Sequence, residues 1–333
     1  MTSPRAASTD VARLAGVSQK TVSRVMNGEP HVRPELRERV MRAAQQLNYR
    51  PNAAARSLLS GRSNRLGVVS LGAKKLYGPA GMVAAVEQAA RSFGYATSVA
   101  HHEHGIAESI GWLMEQGVDG IVLTGDVDEG PVTITVDVPV LTIGRYPTLV
   151  APRRIRSAED ADRNGYLATK HLIDLGHTQI RHVSGPERWW ASRDRVHGWR
   201  TALTDAGLDV AEPIEGDWTS AGGYAAGRRL AADPAMTAVF VANDEMAIGV
   251  IRALHDAGRR VPGDVSVVGM DDIPSARFLN PALTTIVQDF DAVSEEGVAM
   301  LIQEITSPAH TERRLSHVEP VLAVRESTAP PPL

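Results

Sequence analysis

The chain has 333 residues, 43% of them hydrophobic and 22% charged, with no cysteine and no apolar run near the ~18 residues of a spanning helix. Disulfide scaffolds, thiolate metal sites and a membrane partner are thereby excluded, and the stretch from Met1 to Ala7 lacks the apolar segment of a secretory signal, so a cytoplasmic location is expected. The net charge of −4 is unevenly spread, with 12 Lys/Arg against 4 Asp/Glu in residues 1–65 and 23 against 35 in the rest, so an anionic polymer or surface is expected to meet the basic head alone.

From Thr9 to Leu47 the apolar residues fall at helical spacing: Val11, Leu14 and Ala15, then Val22, Val25 and Met26, then Leu36, Val40, Ala43, Ala44 and Leu47. Three short helices follow, with Gly16-Val17 turning between the first two, Ser18 capping the second and Pro34 at the start of the third. This is the spacing of a helix-turn-helix. The second helix leaves Ser18, Gln19, Lys20, Thr21, Ser23, Arg24 and Asn27 outside, and no acidic residue lies between Val11 and Gly28. Gln and Asn suit adenine edges in a major groove, Lys and Arg suit guanine, and Ser and Thr donate to bases or phosphates.

The run Asp10-Val-Ala-Arg-Leu-Ala-Gly-Val-Ser-Gln-Lys-Thr-Val-Ser-Arg-Val-Met-Asn27, with Arg37 to Val40 and Leu47-Asn-Tyr-Arg-Pro-Asn52, resembles the head of the LacI/GalR family of bacterial repressors. One departure is Ala7-Ser8-Thr9 ahead of the first helix, where members have Thr-hydrophobic-x. The resemblance implies that Gln19 and Lys20 choose bases, that Thr21, Ser23, Arg24 and Asn27 contact bases or phosphates beside them, and that Arg33 and Tyr49 lie by the phosphate backbone. Residues Asn52 to Gly61 have an Asn cap, good helix formers and a Gly stop, a helix too short to be stable alone. In the family this is the hinge helix, and the matching residues place Leu58 in the minor groove, with Asn52, Ala55 and Arg56 close by.

From Leu66 the texture alternates short β-rich runs with helical ones. Strands are expected at 66–71, 96–100, 120–124, 139–143, 180–184, 238–242 and 265–269, and helices at 79–93, 106–115, 165–175, 192–206, 220–230, 245–257 and 291–305. That is an α/β body of two doubly wound parallel-sheet halves with a cleft at the carboxyl ends of the strands, and the resemblance gives the same periplasmic-binding-protein-like architecture. The expected organisation is a head over 1–50, a hinge over 51–65 and an effector-binding, dimerising body over 66–333. The body's N-half covers about 66–162 and 292–318, and its C-half about 163–290 and 320–328. The chain ends without a terminal heptad, so a homodimer is expected, with N-half helices and the loop near Tyr77 among its contacts.

Polar and aromatic residues just beyond the strands form a sugar binder's inventory, in which guanidinium, amide and carboxylate meet hydroxyls and aromatic faces cover C–H patches. By the resemblance, Arg195, Asn243 and Asp271 are the polar clamp, Trp218 and Phe290 the stacking walls, and Tyr77 lines the other half. The same three polar residues would also suit a structural network closing the cleft. Asp244 and Asp272 are read as caps and Trp199 as core. Gly144-Arg145 and Ala191 stand where a galactoside pocket of the family has an acid and a serine, while Trp189-Trp190 forms either an aromatic floor or a hydrophobic surface loop.

No cofactor or metal is expected: His101-His102-Glu103-His104 reads as a solvated loop, and no phosphate-cradling glycine spacing is present. Asp271 with Asp244 or Glu245 would imitate a glycosidase pair, but nothing in the sequence raises either pKa, so the chain is read as no enzyme. The expected function is a DNA-binding transcriptional regulator, a repressor released from a pseudo-palindromic double-stranded operator by a sugar or glycoside. The alternatives are a corepressor-dependent regulator sensing a purine or other metabolite and a plain solute-binding protein.

Overall fold

In a computed structural model the described residues are 6–26, 32–49, 61–71, 76–101, 105–125, 127–128, 130–146, 149–151, 153–157, 161–307 and 319–332. Asn27, Asn52, Ala55, Arg56 and Leu58, the expected hinge helix as far as Ser60, and His102 to His104 lie outside them. The chain divides into two units, Met1–Ser63 and Asn64–Leu333.

The first unit carries α1 (Ser8–Ala15), α2 (Gln19–Met26) and α3 (Pro34–Gln46). Their inner faces make one small core of Val11, Ala12, Ala15, Val22, Val25, Val40, Ala43 and Ala44. Leu14, expected inside, is 52% exposed, because the buried stripe of this two-turn helix runs through Val11 and Ala15 and leaves its neighbour on the rim. Gly16 takes φ +61 at the end of α1, where a side chain would be strained, and Pro34 opens α3. The unusual approach to α1 is capped from within the helix: the Asp10 carboxylate accepts the backbone N–H of Ala7 at 2.9 Å.

The second unit opens with a parallel five-stranded sheet in the order β2-β1-β3-β5-β7. It is built from β1 (Arg65–Ser70), β2 (Ala96–His101), β3 (Gly120–Thr124), β5 (Val140–Ile143) and β7 (Arg154–Ser157), with a small pair, β4 (Val132–Thr133) and β6 (Leu149–Val150), beside it. Helices α4 (Tyr77–Ser92) and α5 (Ile106–Glu115) flank it. The register sets buried Val68 against buried Val122 of the central β3 and half-buried Val99 of the edge strand β2.

The second sheet runs β13-β12-β11-β10-β8-β9, parallel except for β13. Its strands are β8 (Ile180–Ser184), β9 (Ile214–Glu215), β10 (Ala238–Val241), β11 (Ser266–Asp271), β12 (Thr284–Val287) and β13 (Val321–Ala323). Its helices are α6 (Ala161–Asp174), α7 (Trp190–Asp205), α8 (Ser220–Ala231) and α9 (Asp244–Asp256). Close approach within the pairs depends on glycine: a Cβ at Gly198 would lie 1.9 Å from the Asp162 carbonyl oxygen, and one at Gly249 would lie 2.0 Å from that of Ser220. The last helix, α10 (Phe290–Thr306), leaves β12 through Gln288-Asp289 and packs Val293, Val298 and Leu301 against the first sheet. The chain therefore returns to the first half before β13 closes the second. Three passages between the halves are expected from the resemblance, near 160–164, 287–291 and 317–321; the second is described in full, while residue 160 of the first and residues 317–318 of the third lie outside the described residues.

Candidate functional site

In the head, α2 begins with a side-chain cap: Ser18 Oγ accepts the Thr21 N–H at 3.1 Å and shares a 2.9 Å hydrogen bond with the Thr21 hydroxyl. Ser18, Gln19, Lys20 and Ser23 are exposed, and Thr21 and Arg24 are half-buried. Gln19 donates to the Ser8 hydroxyl at 2.8 Å, tying the start of α2 to the start of α1. An exposed helix N-terminus with a cation and no acid is a surface an anionic backbone can approach. Arg33 is exposed ahead of α3, while Tyr49 is half-buried against the head core.

In the body, the carboxyl ends of both sheets face a cavity of about 140 Å³. Six of the eight expected ligand residues line it: Trp189, Arg195, Trp218, Asn243, Asp271 and Phe290. Tyr77 and Trp190 do not. Tyr77 stands behind Phe290, ring centroids 6.1 Å apart, and its backbone N–H bonds the Glu245 carboxylate from the other half. Burial raises the pKa of the Tyr77 hydroxyl and of Glu245, and the carboxylates of Asp271, Asp272 and Asp244 raise the tyrosine further.

Arg195 comes from the first turns of α7 and is 7% exposed. Its Nη1 donates to the Ala242 carbonyl at 2.6 Å, its Cζ lies 5.6 Å from the Trp218 ring centroid, and its buried Nε has no hydrogen-bond partner among the described residues. The Trp218 Nε1 is likewise buried without one. Trp218 takes φ +71, its ring lies where a Cβ at Gly185 would come within 2.1 Å, and it meets Trp189 edge-on at 5.9 Å. Trp189 is therefore a wall of the cavity. Trp190 is half-buried, with the guanidinium of Arg193 4.5 Å and that of Arg145 5.3 Å from its ring.

Asn243 and Asp244 have duties other than those read from the sequence. Asn243 is the cap of α9: its Oδ1 accepts the Met246 N–H at 3.0 Å, and its Nδ2 donates to the Trp218 carbonyl at 3.0 Å. Asp244, expected as the cap, turns inward, where it accepts from the Thr285 hydroxyl at 2.7 Å and the Ile273 N–H at 2.9 Å. Burial pushes its carboxyl up to about 7. Asp271 ends β11 with φ +117 and is followed by Asp272 at φ +52, so the strand breaks sharply at the cavity.

Sequence reasoning missed Met82, Gly125, Ile143 and Ala161 on the lining. Ile143 and Gly125, at or just past the ends of β5 and β3, carried a findable signal; Ala161 did not. It also missed the lip, where Arg145 pairs with Asp194 and Arg193 pairs with Asp128 at 2.9 Å, each pair joining one half to the other. Among the described residues no group of three or more His, Asp or Glu could hold a metal ion, and no helix is long and apolar enough to cross a membrane.

Residues 9–52 match the family described as bacterial regulatory proteins, lacI family, and residues 169–328 match a periplasmic binding protein-like domain. The ribose operon repressor of Escherichia coli (strain K12) is 35% identical over 334 residues, covering 96% of this chain and 98% of that protein. The lac repressor dimer bound to operator and the anti-inducer ONPF superimposes with a TM-score of 0.80 at 31% identity, covering 98% of this chain and 100% of that one. A complex of the transcriptional regulator CelR with cellobiose gives 0.71 at 34% identity, covering 97% and 100%.

Proposed function

We propose a sugar-released repressor as the reading that follows from the premise that this chain belongs to the lacI family of bacterial regulatory proteins. It is a DNA-binding transcriptional repressor, not an enzyme, and it works as a dimer in the cytoplasm on operator DNA. In this proposal Gln19 and Lys20 read base edges, Ser18, Thr21, Ser23 and Arg24 hold bases or phosphates, and Arg33 and Tyr49 lie along the backbone. Asn27, Asn52, Ala55, Arg56 and Leu58, outside the described residues, complete the set.

One observation carries the effector assignment: Arg195, buried at the cavity with an unpaired Nε–H, beside the Trp189–Trp218 corner and the Asp271 carboxylate. A buried donor calls for an acceptor, and a hydroxylated ring supplies that acceptor, a donor for Asp271 and C–H faces for the indoles. Asn243 shapes the pocket, since both ends of its amide are engaged. A disaccharide is the preferred class, because Trp189 and the Arg145–Asp194 pair extend the lining beyond the Arg195 corner and the similar CelR complex holds cellobiose.

Release is a coupling free energy. A sugar that binds one arrangement of the two halves better than the other shifts the dimer toward it, and each 1.4 kcal/mol of that difference changes operator affinity about tenfold. The test is binding of the purified protein to its own upstream DNA with a panel of mono- and disaccharides and purines. Release by a sugar supports the reading, tightening by any ligand replaces it with corepression, and no binding at low salt overturns the head assignment.

A further inference from the structure

We infer that Arg325, far from the cavity in sequence, is a positioning residue that holds the cleft carboxylate Asp271 in place by pinning its neighbour Asp272. The inference rests on the reading of the cavity as a sugar site. Asp271 and Asp272 are consecutive non-glycine residues with φ of +117 and +52. Such backbone persists only where its surroundings hold it.

Two clamps hold it here. On one side Arg325 Nη2 donates to Asp272 Oδ1 at 2.6 Å, with both side chains less than one fifth exposed. Arg325 is itself fixed, because its Nη1 donates to the Leu283 carbonyl at 2.8 Å and its backbone N–H to the Thr284 hydroxyl at 2.9 Å. Arg277, mostly exposed, reaches only 3.9 Å from the other Asp272 oxygen. On the other side Asp244 accepts the Ile273 N–H and is held by Thr285. A Cβ at Gly269 would come 2.2 Å from the Asp244 carboxylate, so the clamp also dictates the residue two places before Asp271.

The geometry separates this role from a plain strap. The segment after β13 is already secured by Ser327, whose hydroxyl donates to the Val267 carbonyl at 2.6 Å and accepts the Thr284 N–H at 2.8 Å, and by Ala329 on Ser266. Those bonds fasten the tail to the sheet. The Arg325–Asp272 pair instead fastens the tail to the turn that aims a cavity side chain.

The test uses full-length Arg325→Gln, Arg325→Lys and Asp272→Asn, the last keeping nearly the same shape in case the arginine variants fold poorly. Amide hydrogen exchange is followed at 271–273, at β8 and β10, and at β12 and β13. Operator release is titrated with cellobiose and with ribose. Arg325→Gln and Asp272→Asn are expected to speed exchange at 271–273 at least tenfold with β12 and β13 unchanged, and to raise the sugar concentration for half-release at least tenfold. Arg325→Lys, which keeps the charge on a single donor nitrogen but not the two-nitrogen fork, is expected to recover part of both. Equal acceleration in β12 and β13, or a loosened turn with an unmoved half-release point, overturns the assignment. If neither sugar releases the wild type, the sugar reading loses its support, and the exchange pattern alone decides whether Arg325 positions the turn.

Discussion

The side-chain amide of Asn243 donates to the main-chain carbonyl of Trp218 at 3.0 Å while its oxygen caps α9, so one residue both starts a helix and holds an indole of the cavity wall. Asn243→Ala removes the cap and leaves the Trp218 carbonyl unpaired, a loss of about 1–3 kcal/mol in denaturant unfolding. Asn243→Asp keeps the cap but replaces the donor by a carboxylate oxygen that faces the Trp218 carbonyl and repels it. It is expected to weaken sugar binding while keeping the cap, whereas unchanged sugar binding in Asn243→Asp would make the Trp218 contact irrelevant.

Gly185 lies under Trp218, where a methyl group would come 2.1 Å from the indole. Gly185→Ala is expected to displace the ring, costing about 1–3 kcal/mol as overpacking does and abolishing the tryptophan fluorescence change on sugar binding. A variant with unchanged fluorescence response would show that the ring is not held there.

Asp244 contributes a pH dependence to the stability of the body. Its carboxyl, pushed up to about 7 in the fold, has an unfolded pKa near 3.8, so protonated Asp244 favours the folded state. Its contribution is fully present below the unfolded value, declines as the pH rises and is lost above about 7. Asp244→Asn can still accept from Ile273 and donate to Thr285 without a charge. Its melting temperature should fall less than that of the wild type between pH 5.5 and pH 8, and parallel curves would contradict the assignment.

Lys20 is exposed at the head of α2, whereas Gln19 begins paired with Ser8 and must leave that bond to read a base. Lys20→Ala is expected to cost about 1–3 kcal/mol on the preferred operator and to change the ranking among operator variants. Uniform weakening across all sequences, with the salt slope reduced by about one unit, would make it a phosphate contact instead.

The regular elements were legible in the sequence because apolar period and punctuation agreed: α5 over Ile106–Glu115 and β3 over Gly120–Thr124 were expected with those bounds. Strand β7, Arg-Ile-Arg-Ser, was not, since one apolar residue between two arginines carries no strand period. Strand β12 was hidden because Thr284 and Thr285 are buried and bonded to Ser327 and Asp244, partners more than 40 residues away. The same distance in sequence concealed the pairs Arg145–Asp194 and Arg325–Asp272. The exchange of duties between Asn243 and Asp244 was unreadable for another reason: adjacent polar residues at a helix start both fit a cap, and only packing decides which turns inward.

Control of the head by the cavity is separable at Arg195, which lines the cavity and belongs to no part of the α2 helix of the head. Fluorescence anisotropy on labelled operator should be titrated with the releasing sugar for the wild type and for Arg195→Ala. Equal operator affinity is expected without sugar, with release of the wild type and a half-release point for Arg195→Ala shifted upward by at least about tenfold, the loss of a charge-assisted hydrogen bond of about 1.5–3 kcal/mol. Release of both proteins at the same sugar concentration would contradict it.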